Sequence, residues 1–383
     1  MSRRLILASA GAGKSKLIVE QTLERIALGE RVLILTYTEN NQKELVKKFC
    51  QVRGTVPSLV TIKGWFTFLL EDMIRPYQSC IFQDRIPSIN FNPEDPHKRN
   101  GRNIKGSGEK IGKNYNSKHF LTRNKGKAHT SYISKLAVRI NSVSGGKSIT
   151  RLSEIYSSIF IDETQDLIGW DFELMKSISY SGIYQFCCVG DFRQTLYSTH
   201  PTTKKPKDNH EKLQRFVGIG FTPENLNISW RCTQNICDFA DLIHKNEDVY
   251  ESTESKLEDL DPKYAGHLGV FVVGPENVGE YIKKYQPTIL RANRKSHKDL
   301  CEGRDVYNFG EAKGMGFNRV LICSTDKHQK FLAGKNDVFE SDKTPKAKNS
   351  LYVAITRARY SVAFLYAGDV AIEGVEVWPI SED

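Results

Sequence analysis

Clustered cysteines, long apolar runs and internal repeats are all missing from this 383-residue sequence, and each absence closes off a class of protein. The eight cysteines (Cys50, Cys80, Cys187, Cys188, Cys232, Cys237, Cys301 and Cys323) form no CxxC pair, and none is backed by a histidine at finger spacing. That excludes a zinc finger or an iron–sulfur cluster and predicts free thiols in a reducing cytoplasm. The adjacent Cys187 and Cys188 read as strand packing. No apolar run is long enough to span a bilayer, and Met1-Ser2-Arg3-Arg4 leads straight into a short apolar stretch. Neither a membrane segment nor a signal peptide is therefore expected. Acids outside the motifs below are scattered, without the spacing of a nuclease centre.

Acids are scarcest between Lys98 and Lys147, where thirteen lysines and arginines meet one acid, Glu109. The formal net charge of the chain is +10, and this window alone carries +12. Elsewhere 42 basic and 44 acidic residues nearly cancel. An excess confined to one segment points to an anionic polymer, nucleic acid first, although a solvated surface would look the same.

Short apolar runs alternate with helical patterns along most of the chain. Leu5–Ala8, Val32–Thr38 and Leu59–Ile62 read as strands; Lys14–Leu28, Asn40–Cys50 and Trp65–Ile74 read as helices. This predicts an α/β fold of parallel sheets flanked by helices. From about Tyr77 the pattern dissolves into Pro-, Asn-, Gly- and Lys-rich sequence, then recovers at Ile133, Leu136, Ala137 and Ile140, which repeat at helical spacing. Strands resume at Ile155–Ile161 and Tyr184–Val189. The reading is a first domain over 1–76 and 151–200, interrupted by a basic insertion over 77–150. The polar stretch Thr199–His210 marks a boundary, and strands at Val270–Val273, Thr288–Leu290, Val306–Phe309, Val320–Ser324 and Val362–Tyr366 make 201–383 a second α/β domain.

The chemistry starts at Ala8-Ser9-Ala10-Gly11-Ala12-Gly13-Lys14-Ser15, a glycine-rich turn between a strand and a helix. Glycines let successive backbone N–H groups face phosphate oxygens, and the helix start adds partial positive charge. Ala10, Gly11, Ala12 and Gly13 would cradle the phosphates of ATP, Lys14 would reach the β/γ pair, and Ser15 would ligate Mg²⁺. The motif opens with Ala8 where glycine is usual, so a chance turn is the competing reading. Ile159-Phe160-Ile161-Asp162-Glu163 is an apolar strand ending in two acids. In P-loop NTPases the first such acid holds Mg²⁺ and the second orients the attacking water. Gln194, after the strand ending Val189-Gly190-Asp191, has the place of a γ-phosphate sensor. Arg231 and Arg357 offer the positive charge of arginine fingers. With both arginines in the second half, ATP would sit in a cleft that opens and closes as a motor does.

Nine blocks in order resemble the UvrD/Rep/PcrA branch of superfamily 1 helicases. They are ASAGAGKS, LTYTENN, TIKGWF, IDETQDL, VGDFRQTLY, LNISWRCT, ILRANRKS, FGEAKGMGFNRVLI and LYVAITRARY. The resemblance implies two RecA-like domains and 3′→5′ translocation along single-stranded DNA. It makes Lys14, Ser15 and Asp162 the phosphate and metal ligands, Glu163 the base, and Gln194, Arg231 and Arg357 the sensors and fingers. Trp230 would stack on adenine, with Lys16 a second contact. Tyr37 and Tyr197 would stack on bases, Thr36, Thr38 and Lys63 would touch the DNA backbone, and Lys313 with Gly314 would lie in the segment coupling the second domain to DNA and ATP. Without the resemblance the tyrosines read as packing, and Trp65 and Trp230 as core.

The pattern departs from the family in four places. No adenine-reading Gln stands upstream of Ala8; Thr199 replaces a stacking Trp, unless His200 substitutes; Gly316 replaces a Glu and Gly310 a His; and only about a dozen residues separate ILRANRKS from the Val306 strand, so the large regulatory insertion of relatives is absent. The expected partners are single-stranded DNA and its junctions with duplex, with RNA open. A translocase that strips protein from DNA, and an ATP-regulated sensing subunit that partners a separate nuclease, as in bacterial antiphage systems, are the alternatives.

Overall fold

In the computed structural model, which describes residues 2–92, 94–100, 102–124, 126–196, 204–258, 260–335, 337–342 and 344–379, the alternating pattern yields two six-stranded sheets flanked by helices. The first is built from β1 (Ser2–Ala8), α1 (Lys14–Ala27), β2 (Val32–Thr36), α2 (Glu39–Arg53), β3 (Val60–Gly64), α3 (Thr130–Val143), α4 (Lys147–Ile155), β4 (Ser158–Ile161), α5 (Trp170–Ser179), β5 (Gln185–Gly190) and β6 (Thr222–Leu226). Its strand order is β6-β1-β5-β4-β2-β3. β5, β4, β2 and β3 pair in parallel, with Ile161 beside Leu35 and Cys188. Every residue of β2 and β4 is buried, which is why both read as unbroken apolar runs.

The helices follow local rules. Thr38 caps α2 by accepting from the Asn41 amide, and Gly54 ends it in the left-handed conformation at φ 77°. The stretch after β3 begins as an α-helix over Trp65–Phe68, widens to a π-helix over Leu69–Ile74 and tightens to a 3₁₀ turn over Arg75–Cys80. Pro76, which has no N–H to donate, sits in the first turn of that last piece. Ile155 belongs to α4 rather than to the strand, because Ile149 and Leu152 bury an amphipathic face that carries the helix up to it. β6 extends the first sheet beyond residue 200. Its sequence, Thr-Pro-Glu-Asn-Leu, is polar because it is an edge strand with no residue fully buried.

The insertion has its own small core. Two short antiparallel ladders pair Lys98–Arg99 with Arg102–Asn103 and Lys110–Ile111 with Asn114–Tyr115. In the same insertion His97 stacks on Tyr132 with ring centroids 4.2 Å apart, and the His119 ring lies 4.4 Å from His97. Glu109, the one acid of the basic window, pairs with Lys135 at 2.8 Å and Arg139 at 2.6 Å. Asp171 on α5 ties α3 and the post-β3 helix together: it is fully buried and accepts from Trp65 Nε1 at 3.0 Å, Ser134 Oγ at 2.5 Å and the Ile168 amide at 2.9 Å.

The second sheet contains β7 (Gly269–Val273), β8 (Thr288–Arg291), β9 (Val306–Asn308), β10 (Phe317–Cys323), β11 (Ala358–Leu365) and β12 (Val375–Trp378) in the order β9-β8-β10-β11-β7-β12. All of its pairings are parallel. Alternate residues feed two cores: Val270, Val272, Val320, Ile322, Val362 and Phe364 on one face, and Phe271, Val273, Leu321, Cys323 and Ala363 on the other. The period of two is the signature of a strand covered on both faces.

By packing, the described residues divide into two units, one of 2–6, 14–190 and 204–224, the other of 7–13, 191–196 and 225–379. All eight cysteines are free thiols, and six are buried. Among the described residues no helix is long and apolar enough to cross a membrane, and no cluster of three histidine, cysteine or acidic residues could hold a metal.

Candidate active site

In the first unit, Lys14 and Ser15 open α1, and Asp162 and Glu163 follow β4. Asp162 is buried, and its Oδ1 accepts from the Glu163 amide at 2.9 Å. Glu163 itself holds a left-handed conformation, φ 53° and ψ 40°. For a non-glycine residue that costs about 1–3 kcal/mol, a strain typical of functional positions. The turn places Glu163 Oε1 3.7 Å from Lys14 Nζ, while Gln165 Nε2 donates to its other oxygen. Burial, reinforced by the neighbouring Glu163 charge and opposed by Lys14, pushes the Asp162 carboxyl up to about 7. Ser15 Oγ donates to Glu44 Oε1 on α2 at 2.9 Å. Lys16 is exposed, 3.8 Å from Glu20.

The remaining first-unit positions lie at the ends of β2 and β3. Thr36 is fully buried. Tyr37 is half-buried and meets Phe66 edge to face, whereas Thr38 is exposed and its hydroxyl caps α2. Lys63 donates to Asp72 at 2.7 Å and lies 3.2 Å from Glu71. Burial pulls its pKa down, but these two carboxylates more than reverse that and hold it above the ordinary lysine value. Tyr197, Thr199 and His200 lie outside the described residues.

In the second unit, the turn before Lys14 is densely contacted. Gly11 (φ 77°) and Gly13 (φ 79°) take the conformation that favours glycine. A Cβ on Gly11 would fall 2.7 Å from Arg231 Cβ and 2.9 Å from Ser229 Oγ. Gly11 O accepts from the Trp230 amide at 3.0 Å and Ala10 O from Ser229 Oγ at 2.9 Å, while the Ala12 amide donates to Ser9 O at 3.2 Å. The Trp230 side chain is 43% exposed, so it is not a core residue. Arg231 Nη1 donates to Thr356 O at 3.3 Å. A Cβ on Gly316 would lie 3.7 Å from Arg231 Nε. Lys313 is half-buried in the same segment.

Gln194 and Arg357 are joined. Arg357 Nη2 donates to Gln194 Oε1 at 3.3 Å, and Gln194 Nε2 donates to Asp191 Oδ2 at 2.7 Å. Arg357 is almost wholly buried and spends its other donors on the carbonyls of Val353 and Met315. Burial, with the nearby Arg231 charge, lowers its pKa to about 9.

Residues 2–200 match the family model of AAA domains called AAA_19. The chain belongs to this AAA domain family. No curated protein matches it. Among solved structures, the helicase nonstructural protein 10 of an arterivirus is similar at a TM-score of 0.43 and 14% identity, over 94% of this chain and 59% of that one. The same helicase in complex with DNA is similar at 0.42 and 13%, over 94% and 60%. The chain thus spans about three-fifths of the length of these proteins.

Three residues of this AAA chain, Glu44 in the first unit and Arg193 and Tyr352 in the second, touch the motif residues of their own unit without being legible from sequence. Glu44 carries no motif signal of its own, since one acid on a polar helix looks solvated. Arg193 lies inside the quoted VGDFRQTLY block but has no role there by type alone. It is 2% exposed, pairs with Asp241 at 2.8 Å, and donates to Ser9 Oγ at 2.8 Å. Its guanidinium also sits over the rings of Tyr352 and Tyr250. Burial lowers the Arg193 pKa, but the surrounding tyrosines and carboxylates hold it above the ordinary arginine value. Tyr352, buried, takes the Ala10 amide hydrogen at 3.2 Å and donates to Asp191 Oδ2 at 3.3 Å.

Proposed function

We propose that this chain is an ATP-dependent 3′→5′ single-stranded DNA translocase and helicase of the UvrD type. The observation that carries the reading is the grouping of Lys14, Ser15, Asp162 and Glu163 at the start of α1 and the end of β4, with Glu163 in a strained turn beside Lys14. These residue types suit an Mg²⁺–nucleotide: Ser15 and Asp162 offer the hard oxygen donors that Mg²⁺ selects. Bound there, the cation would neutralise phosphate charge. Lys14 would hold the terminal phosphates, and Glu163, with one oxygen engaged by Gln165, would orient and deprotonate water. The Gly11 and Gly13 turn would present its amides to phosphate.

Gln194, Arg231 and Arg357 are assigned as γ-phosphate sensor and fingers, and the hydrogen bond between Arg357 and Gln194 supports their acting together. Trp230, exposed as a stacking surface must be, is assigned to the adenine. Thr36, Tyr37, Thr38, Lys63, Tyr197 and Lys313 are assigned to DNA, with the insertion over 77–150 as the main electrostatic contact. The domains assigned are 1–76 with 151–200, the insertion over 77–150, and 201–383; by packing, residues 204–224 group with the first and residues 7–13 and 191–196 with the second.

Partial duplexes with a 3′ or a 5′ single-stranded tail test the polarity. Strand displacement on the 3′-tailed substrate alone, dependent on ATP, is the expected outcome. Displacement on the 5′-tailed substrate would contradict it.

A further inference from the structure

Three aromatic rings lead from the first sheet onto the basic insertion. Tyr37 follows β2, Phe66 follows β3, and Phe91 belongs to the insertion. The Tyr37 and Phe66 centroids are 5.4 Å apart with planes at 78°. Phe66 and Phe91 repeat the arrangement at 5.6 Å and 84°. Both outer rings therefore stand nearly perpendicular to the middle one, in the edge-to-face geometry that fixes ring orientation. Tyr37 and Phe66 are half-buried, whereas Phe91 is 68% exposed. The contrast with the neighbouring core is sharp, since Trp65 and Phe120 are each 1% exposed. A ring that only closed the seam beneath the insertion would be covered as those are.

The charge around the row says what would cover it. Lys98, Arg99, Arg102 and Lys105 follow Phe91 in sequence and are all exposed. Glu109 pairs with Lys135 and Arg139, Asp95 lies 3.9 Å from Lys98 Nζ, and Glu94 is exposed, so the segment from Phe91 to Lys105 sets four cations against two acids. An exposed aromatic ring in a net-cationic segment matches a polymer of flat bases on an anionic backbone. We propose that Phe91 is a base-stacking residue, by which the insertion prolongs the aromatic surface begun at Tyr37 and takes unpaired bases of a single nucleic-acid strand. The inference rests on the nucleic-acid reading above and adds to it a contact made by the insertion through base faces rather than phosphates.

Binding of labelled oligo-dT and oligo-rU strands, followed by fluorescence anisotropy across a salt series, tests it. Phe91 is exposed, so Phe91→Ala should keep the wild-type thermal midpoint. It should bind about tenfold more weakly, the usual scale for one lost stacking contact. The slope of affinity against salt should not change, because no phosphate contact is removed. Phe91→Trp should bind as wild type does, and Phe91→Leu, which keeps apolar bulk but no ring, should bind as weakly as Phe91→Ala. Loss on the DNA arm, the RNA arm or both supports stacking and identifies the sugar. Wild-type affinity in Phe91→Ala or in Phe91→Leu overturns the inference alone. Failure of the wild-type protein to bind either strand overturns the underlying reading with it.

Discussion

Glu163 is where local conformation and proposed chemistry meet. Its left-handed turn aims the carboxylate at Lys14 instead of into solvent, and Gln165 holds one oxygen. Glu163→Gln keeps the shape and removes the base, so hydrolysis should fall by about 10²–10⁴-fold while a fluorescent ATP analogue still binds; turnover and binding measured side by side check this. Arg193 is a residue of a different kind. It is buried between Asp241, Ser9, Tyr250 and Tyr352, and Asp191 Oδ1 lies 3.6 Å from its Nε. Arg193→Ala would leave those carboxylates without their cation and should cost about 3–5 kcal/mol in urea unfolding. Little loss would mean that water or a rearranged partner replaces the guanidinium. Residue type and motif spacing made Lys14, Asp162 and Glu163 legible from sequence. Arg193 was not, because its burial depends on Asp241, Tyr250 and Tyr352, which lie 48 or more positions away.

At the scale of elements, legibility tracked burial. β2, β4 and the second-sheet strands β7, β8, β10 and β11 carry apolar runs because both faces are covered, and these runs are legible from sequence within a few residues. β6 and β12 are sheet edges with mostly polar or exposed positions, and left no such run. The helix α3 announced itself through Ile133, Leu136, Ala137 and Ile140, all fully buried. The insertion before it did not, since histidine and tyrosine rings share its core with only scattered apolar residues, Ile86, Phe120 and Ala128. That core carries a pH dependence. Burial, helped by Lys135 and His97, lowers the His119 pKa to about 4, and burial also lowers those of His97 and His129. Ser107 O and Glu109 oppose the shift at His119, and Asp95 opposes it at His97. The fold thus holds these rings neutral. Their contribution is complete above the ordinary histidine value of about 6.5 and is lost as pH falls towards about 4. Near-ultraviolet circular dichroism of the tyrosine signal should show the insertion loosening between pH 6.5 and 4, with less loosening in His119→Asn. An unchanged signal would mean that the rings are not buried as described.

Across the whole molecule, charge and chemistry are separated along the chain. The catalytic candidates lie in segments of near-zero net charge, while the window from Lys98 to Lys147 carries +12. If that window grips the phosphate backbone, its lysines and arginines should set the salt dependence of binding. Neutralising Arg99, Arg102 and Lys105 together should flatten the slope of log affinity against log salt by roughly 2, at about 0.7 per phosphate contact on a single strand. An unchanged slope would move the electrostatic contact elsewhere. A motor requires the ATP site and the nucleic acid to be coupled. Steady-state ATP hydrolysis, with and without single-stranded DNA and beside Lys14→Ala, measures that directly. Strong stimulation by DNA that vanishes in Lys14→Ala is the predicted result; hydrolysis indifferent to DNA, or persisting in Lys14→Ala, would contradict it.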